Sequence, residues 1–329
     1  MIDKILEKSL NDEILTAEEI ATLFKIPLKT EESAKIIFAG RKKSEMASDG
    51  YAEVHGQLGL NIAPCPMNCL FCAFAQKNKV FDTSTELTPE EVVRRTLQFE
   101  ENGANAIFIM ATADYAFSKY VEMGREIRKH LKPETKLVSN VGDFNLKQAK
   151  QLKDAGFNGI YHAIRLGEGR DTCLRIDKRY DTFRNAREVG LKLGTCVEPV
   201  GSEHSIEELV EKTIINREAE PVYSGSARRI PIPGSELEKY GIVSEARMAF
   251  ILAVVRLAIP MSVPGNCTHE PNVIGAFAGA NLLWAESGAN PRDTREDTEG
   301  QRGMSVSDCR TILEEAEWKV RTGPSKFYD

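Results

Sequence analysis

The chain predicts an α/β fold: a complete (β/α)8 barrel of the TIM type over residues 51–329, preceded by a helical extension over residues 1–50. Three observations carry this. Beyond the first fifty residues, short apolar runs alternate with amphipathic helical segments every 25 to 35 residues or so, roughly the period of parallel βα units. About eight such units follow without a break, the number that closes a barrel. A cysteine-rich loop follows the first strand at its C-terminal end, the end where such barrels carry their chemistry.

Taken in order, Ile5, Leu6, Leu10, Ile14 and Leu15 recur at helical spacing. Thr16 caps a second helix, with Glu19 completing a capping box, and Glu31 to Met46 forms a third. Strand one is expected at Leu58–Ile62. Thr88-Pro-Glu-Glu-Val is a helix start, with Thr88 as cap and Pro89 in the first turn; the helix runs to about Asn102. Strand two is Ala106–Met110, followed by a helix over Phe117–Leu131. Strand three is Lys136–Ser139, the next helix Asn145–Ala155, and strand four Asn158–Ala163. Arg179–Val189 reads as a helix and Leu191–Val197 as strand five. Ser205 caps a helix to Asn216, strand six lies within Pro221–Ile230, and Ser244–Ala258 is a long apolar helix. Met261–Val263 and Ala280–Trp284 are expected as strands seven and eight, and Ser305–Val320 as the closing helix. Asn290–Gln301 reads as a loop, and the tail after Thr322 as a fraying end.

Composition narrows the function. The 329 residues are 42% hydrophobic and 28% charged, as in an ordinary globular protein. A formal charge of −6 and a pI near 5.6 leave no basic footprint for nucleic acid. No run approaches the roughly 18 apolar residues of a membrane span, and Met1-Ile-Asp-Lys-Ile-Leu-Glu-Lys lacks a signal-peptide core. A cytoplasmic setting is expected, where thiols stay reduced and serve as metal ligands rather than disulfides.

Three of the seven cysteines fall in Cys65-Pro-Met-Asn-Cys69-Leu-Phe-Cys72, spaced Cys-x3-Cys-x2-Cys with Phe71 before the last. A short loop of this kind can aim three thiolates at one iron–sulfur cube and leave the fourth iron free of protein ligands. A structural zinc site or a four-thiolate electron-transfer cluster needs a fourth ligand. That ligand would have to come from Cys173, Cys196, Cys267, Cys309 or a histidine, none of which forms a second paired motif.

The spacing and the aromatic residue resemble the signature of the radical S-adenosylmethionine (SAM) superfamily. The helical lead-in, the phrase Leu87-Thr-Pro-Glu-Glu-Val-Val and the complete barrel are similar to its biotin-synthase-like group, on the branch of the hydrogenase maturase HydE and the methylornithine synthase PylB, including methanogen-type relatives. The resemblance implies a [4Fe-4S] cluster on Cys65, Cys69 and Cys72, and reductive cleavage of SAM to a 5'-deoxyadenosyl radical that acts on a small molecule inside the barrel. It also implies a ferredoxin or flavodoxin as electron donor. By the same resemblance, SAM contacts Phe71, then Met110, Ala111, Thr112 and Asp114 after strand two, Glu168 after strand four, and Arg179 as a clamp on its carboxylate, a role suited to a planar guanidinium. The plainer reading of Arg179 is a solvated charge at a helix start, and of Glu168 a loop carboxylate. Biotin synthase takes a second cluster on cysteines at the ends of strands two, three and five; here those places hold Met110 to Ala111, Ser139 to Asn140 and Gly194, so one cluster is expected.

Residues expected to face a substrate are His162, Glu198, Arg228, Arg229, Cys267 and His269, with Glu270 beside them. Arginine with carboxylate suits a zwitterionic or carboxylated small molecule. Cys267, His269 and Glu270 are candidates to hold a metal or relay a radical, against the plainer reading of a polar loop with a buried thiol. Two other function classes remain: a non-radical iron–sulfur carrier or scaffold, and a cofactor-free barrel enzyme using His162 or Glu198 in acid/base work.

Overall fold

The computed structural model describes residues 1–329. Eight parallel strands form a closed ring: β1 (Tyr51–Gly59), β2 (Ala106–Met110), β3 (Lys136–Asn140), β4 (Gly159–Tyr161), β5 (Lys192–Gly194), β6 (Tyr223–Arg228), β7 (Gly265–Cys267) and β8 (Leu282–Gly288). Each pairs with its neighbours in sequence, and β8 closes onto β1 from Glu53↔Leu282 to Gly59↔Gly288. This is the expected (β/α)8 barrel.

Three helices precede it: α1 (Ile2–Leu10), α2 (Ala17–Phe24) and α3 (Glu31–Ala47). The Thr16 capping box forms, with Thr16 N–H donating to Glu19 Oε2 at 2.7 Å and Glu19 N–H to Thr16 Oγ1 at 3.2 Å. On the barrel's outside lie α4 (Pro89–Glu101), α5 (Phe117–His130), α6 (Leu146–Asp154), α7 (Ile176–Glu188), α8 (Ile206–Glu218), α9 (Glu245–Ala258), the short α10 (Val273–Phe277) and α11 (Val306–Glu315). Ile5, Ile20, Leu23, Phe24 and Ile36 pack with Phe250, Ile251 and Val254 of α9 in one core cluster. The helical extension therefore covers the barrel's flank. Every residue of α9 from Met248 to Ala258 is buried, because it lies between α3 and the barrel wall. The run is apolar except for Arg256, whose Nη1 donates to Val263 O at 2.7 Å, so it has no face left for water.

Several boundaries differ from the sequence reading, for one reason. Strand one begins at Tyr51, not Leu58: Val54 and Leu58 face the helices, while Glu53, His55 and Gln57 alternate onto the barrel's interior and hide the apolar signal. Strand seven is Gly265–Cys267 rather than Met261–Val263, and strand eight continues through Glu286 and Ser287 to Gly288. Strand five breaks after Gly194; a further segment, Val197–Val200, pairs with β6. Helix α7 starts at Ile176, which puts Arg179 in its first turn.

The last helix ends at Glu315 instead of Val320, and Lys319–Val320 pairs with Tyr51–Ala52. The tail does not fray. Ser325 Oγ donates to Glu53 Oε2 at 2.5 Å and Lys326 N–H to Glu53 Oε1 at 2.8 Å. Phe327 and Tyr328 enter the barrel's interior among Phe108, Tyr223 and Trp284. Glu53 is wholly buried, and it also contacts His55 Nε2 at 2.9 Å and Arg321 Nε at 3.3 Å. The tail thus plugs the end of the barrel away from the cysteine loop. Phe327→Ala should lower folding stability by about 3–5 kcal/mol, the usual cost of emptying a buried phenylalanine site. Urea unfolding of the two proteins measures it, and an unchanged midpoint would mean the plug is dispensable.

Candidate functional site

The loop after β1 is held by its own turns. Cys65 N–H donates to Phe74 O at 2.7 Å, Gln76 N–H to Cys65 O at 3.1 Å, and Cys72 N–H to Cys69 O at 2.8 Å. Asn78 Nδ2 donates to Leu70 O at 3.1 Å and Cys72 O at 2.8 Å, while Asn68 takes a left-handed φ of 48°. Neighbouring segments clamp it from outside: Leu70 N–H reaches Asp171 O at 2.9 Å, Cys173 N–H reaches Met67 O at 2.8 Å, and Ala73 N–H reaches Pro291 O at 2.7 Å.

Cys65, Cys69 and Cys72 all line one cavity at the C-terminal mouth of the barrel, with an empty volume of about 1220 Å³ including its opening. Cys65 is buried; Cys69 and Cys72 keep partial access to the cavity but are otherwise surrounded by protein. Burial pushes all three thiols up, Cys69 to about 11 and Cys72 further. Thiolates there call for a cation to hold them. The three sulfurs are not drawn in to the single-ion spacing seen at Cys196, Cys267 and His269. Three thiols, no fourth side-chain ligand in the loop and a cavity in front of them fit a cube with one open iron better than a lone tetrahedral ion.

Around the same cavity stand Phe71, Met110, Ala111, Thr112, His162, Arg165, Arg179, Glu198, Arg228, Arg229, His269, Glu286 and Arg292. Asn61 ties the two adjacent loops together: its Nδ2 donates to Thr112 Oγ1 at 2.9 Å and its Oδ1 accepts from Thr112 N–H at 3.0 Å. Gly142 lets the β3 loop approach; a Cβ there would meet Ala113 O at 2.6 Å. Gly167, at φ 75°, makes the turn that brings Asp171 and Glu168 round, and a Cβ would meet Asp171 Oδ2 at 2.0 Å.

Arg179 is only 4% exposed. Its Nη1 lies 2.8 Å from His162 Nε2 and 3.4 Å from Asp143 Oδ1, and its Nε is 3.5 Å from Glu168 Oε2. His162 Nε2 also lies 2.8 Å from Asp143 Oδ1, so it accepts from Arg179 or donates to Asp143 but not both. Burial first, then the Arg179 charge, pushes His162 down to about 4 and keeps the ring neutral near pH 7. Burial opposes ionisation of Asp143, yet the His162 bond and Arg179 hold it at about 2. Glu168 accepts from Thr172 Oγ1 at 2.8 Å and is buried, reaching the cavity through Arg179.

Four expected site residues stand differently. Asp114 is exposed and does not line the cavity, because the loop turns outward after Ala113. Cys267 is buried below the cavity floor against Cys196. Arg228 and Arg229 line the wall, but their guanidiniums are taken by Glu270 and Glu203. The sequence reading missed Arg165, whose Nε is 3.3 Å from Glu198 Oε1 and whose guanidinium lies 6.0 Å from the Phe71 ring centroid. It also missed Gln57, Glu286 and Arg292. Arg292 grips Glu286 with Nη2 at 2.5 and 2.6 Å, Gln57 Nε2 donates to Glu286 Oε1 at 3.3 Å, and Asn140 Nδ2 donates to Gln57 Oε1 at 3.4 Å.

The barrel and its cysteine-lined mouth define a (β/α)8 protein built around a three-thiol loop, and comparison with known proteins shows what it is similar to. The model of the radical SAM superfamily matches residues 63–214. Biotin synthase of Anaplasma marginale (strain Florida) is 24% identical over 283 residues, covering 82% of this chain and 86% of that one. Among solved structures, methylornithine synthase (PylB) superposes with a TM-score of 0.80 at 17% identity, covering 98% of both chains. The [FeFe]-hydrogenase maturase HydG of Carboxydothermus hydrogenoformans gives 0.78 at 19% identity, covering 99% of this chain and 80% of that one. Residues 63–214 match the radical SAM superfamily, the chain is similar to biotin synthases along most of its length, and it is an enzyme of the kind that uses a [4Fe-4S] cluster and SAM. No helix is long and apolar enough to cross a membrane.

His162 yields a pH prediction. Its folded pKa is depressed from 6.5 to about 4, so the unfolded chain binds the proton more readily, and stability present above pH 6.5 is lost as pH falls towards 4. The loss attributable to this ring is on the order of 3 kcal/mol. Urea midpoints at pH 7 and pH 4.5 should differ less in His162→Asn than in the unmodified protein; equal slopes would remove His162 from the account.

Proposed function

We propose that the protein is a radical SAM enzyme in which Cys65, Cys69 and Cys72 carry the cluster, and a small carboxylated or zwitterionic molecule reacts inside the barrel. The observation that carries this reading is that the three thiols open onto one cavity whose far wall holds paired guanidiniums and carboxylates. When bound, the cluster supplies an electron that splits the sulfonium of SAM into methionine and a 5'-deoxyadenosyl radical.

The chain's own residues bind and orient. Phe71, Met110, Ala111 and Thr112 bound the side of the cavity next to the cysteine loop, where they exclude water from a reactive species. Arg165 and Arg179 are the cations on that side for the SAM carboxylate. Arg165 faces the open cavity, whereas Arg179 is enclosed by Glu168, Asp143 and His162; Arg165 is the clamp, and Arg179 positions the β4 loop. Glu198, His269, Glu286 and Arg292, on the wall formed after β5, β7 and β8, receive the substrate, with Arg228 and Arg229 behind them. The reaction on the substrate is of the HydE or PylB kind, and a ferredoxin or flavodoxin delivers the electron. The superposition on methylornithine synthase over 98% of both chains supports that fold-level kinship. A carrier that binds the cluster without cleaving SAM is the second reading.

Anaerobic reconstitution with iron and sulfide should give the absorbance of a cube that Cys69→Ala lacks, and dithionite with SAM should release 5'-deoxyadenosine. Arg165→Ala should keep the cluster and weaken SAM binding about 10- to 100-fold, the worth of one hydrogen-bonded charge. A full cluster with no 5'-deoxyadenosine would support the carrier and sink the enzyme.

A further inference from the structure

On the barrel wall opposite β1, Cys196 follows β5 and Cys267 ends β7, both beneath the cavity, and His269, two residues later, lines it. Their ligand-capable atoms all lie within 4.8 Å of one another. The two sulfurs are 3.7 Å apart. A tetrahedron with corners about 2.3 Å from its centre, the zinc–thiolate bond length, has an edge of about 3.8 Å. Disulfide sulfurs stand much closer, at about 2.05 Å.

Sulfur contact alone would fit a packed pair of neutral thiols. The imidazole is the second observation. His269 Nε2 is buried and has no hydrogen-bond partner, an arrangement that costs free energy unless something occupies it. The ring is not free to turn away: it stacks on Trp284 at 4.4 Å and 9°, and Tyr161 meets it edge-on at 5.4 Å. Arg292 Nη1 donates to His269 O at 2.6 Å and fixes the backbone behind it. Glu198 Oε2 lies 3.6 Å from that same Nε2. Orientation of this kind by groups behind the ligands is typical of metal sites.

We propose that Cys196, Cys267 and His269 bind one thiolate-preferring divalent cation, zinc or ferrous iron, whose fourth position opens toward Glu198 and the cavity. Binding releases the two thiol protons, and two thiolates then offset the dication, so the barrel interior takes no net charge. Glu198 already faces the Arg165 guanidinium, which keeps that charge balanced too. Three protein ligands and one open position are the pattern of a metal that polarises a bound group. A carboxylate or amine of the molecule in the cavity would reach it from above. This site is separate from the Cys65, Cys69 and Cys72 loop and does not rest on SAM cleavage.

The test uses the full-length protein with its cluster reconstituted, reduced and anaerobic, titrated with zinc against a competing chelator and with cobalt(II) as a spectroscopic probe. One ion should bind beyond the cluster iron, and cobalt should show thiolate charge transfer. Cys196→Ser and His269→Gln should each weaken zinc about 100-fold, and Cys267→Ser should abolish the cobalt–thiolate band, all with cluster iron and sulfide unchanged. Should Cys267→Ser fail to fold by circular dichroism, the other two variants decide the matter. No ion beyond the cluster, or equal zinc affinity in all the variants, overturns the proposal whatever becomes of SAM cleavage.

Discussion

The Arg165 guanidinium, half-buried between the cysteine loop and the far wall, is the group around whose interactions the mouth of the barrel is arranged. A cation removed from water must have partners at hand, because an unpaired buried charge costs several kcal/mol or more. Burial works against this charge, but Glu198 and Glu168 together hold it, so it stays protonated well above the ordinary range. Glu168 in turn accepts from Thr172 and faces Arg179, and Asp171, three residues on from Glu168, accepts from the cysteine loop at Leu70. The segment after β4 is therefore one electrostatic unit that seats the loop after β1. Loosening any member strips a partner from a charge that is largely withdrawn from water.

This explains which parts of the fold were legible. Helices with a cap and a matching third residue, at Thr16, Thr88, Ser205 and Ser305, announce themselves locally because the hydrogen bonds that start them lie within four residues. Ala106–Met110 was equally plain, being apolar on both faces. β1 was not. Its inward side carries Glu53, His55 and Gln57, whose partners Ser325, Phe108 and Glu286 come from the tail and from other strands. A barrel interior that is polar at both ends and aromatic in the middle defeats a search for apolar runs at the strands that contribute most to it. The tail was misread for the same reason: Lys326 and Asp329 look like solvent residues, yet Phe327 and Tyr328 between them fill the plug.

The site divides along similar lines. Three cysteines within eight residues need no tertiary knowledge to be noticed. Glu168 and Arg179 could be named because a resemblance aligned them, and the structure adds that each is enclosed by the other's network. Arg165 was hidden in plain sight three residues before Glu168, since a lone arginine in a loop reads as solvent-facing. Glu286 and Arg292 are only six residues apart, but their value depends on Gln57, 229 positions away from Glu286 in the chain. Cys196 joined no motif in the sequence for a comparable reason: nothing near it foretells that Cys267 will lie 3.7 Å from it.

The two sulfur sets differ in a way that bears on what each can do. The loop thiols sit on backbone pinned by its own turns and open to the cavity, so a cluster could be built or lost there without disturbing the strands. Cys196 and Cys267 belong to the barrel wall, are fully enclosed and share their neighbourhood with Tyr223 and Trp284. Burial pushes Cys196 up, and Cys267 Sγ donates to Cys196 Sγ at 3.7 Å. A wall that holds a polarised sulfur pair beneath Glu198 and His269 is a chemically distinct half of the cavity. The cavity is thus bounded by open thiols at the cysteine loop, and on its far wall by Glu198 and His269 with the enclosed sulfur pair behind them.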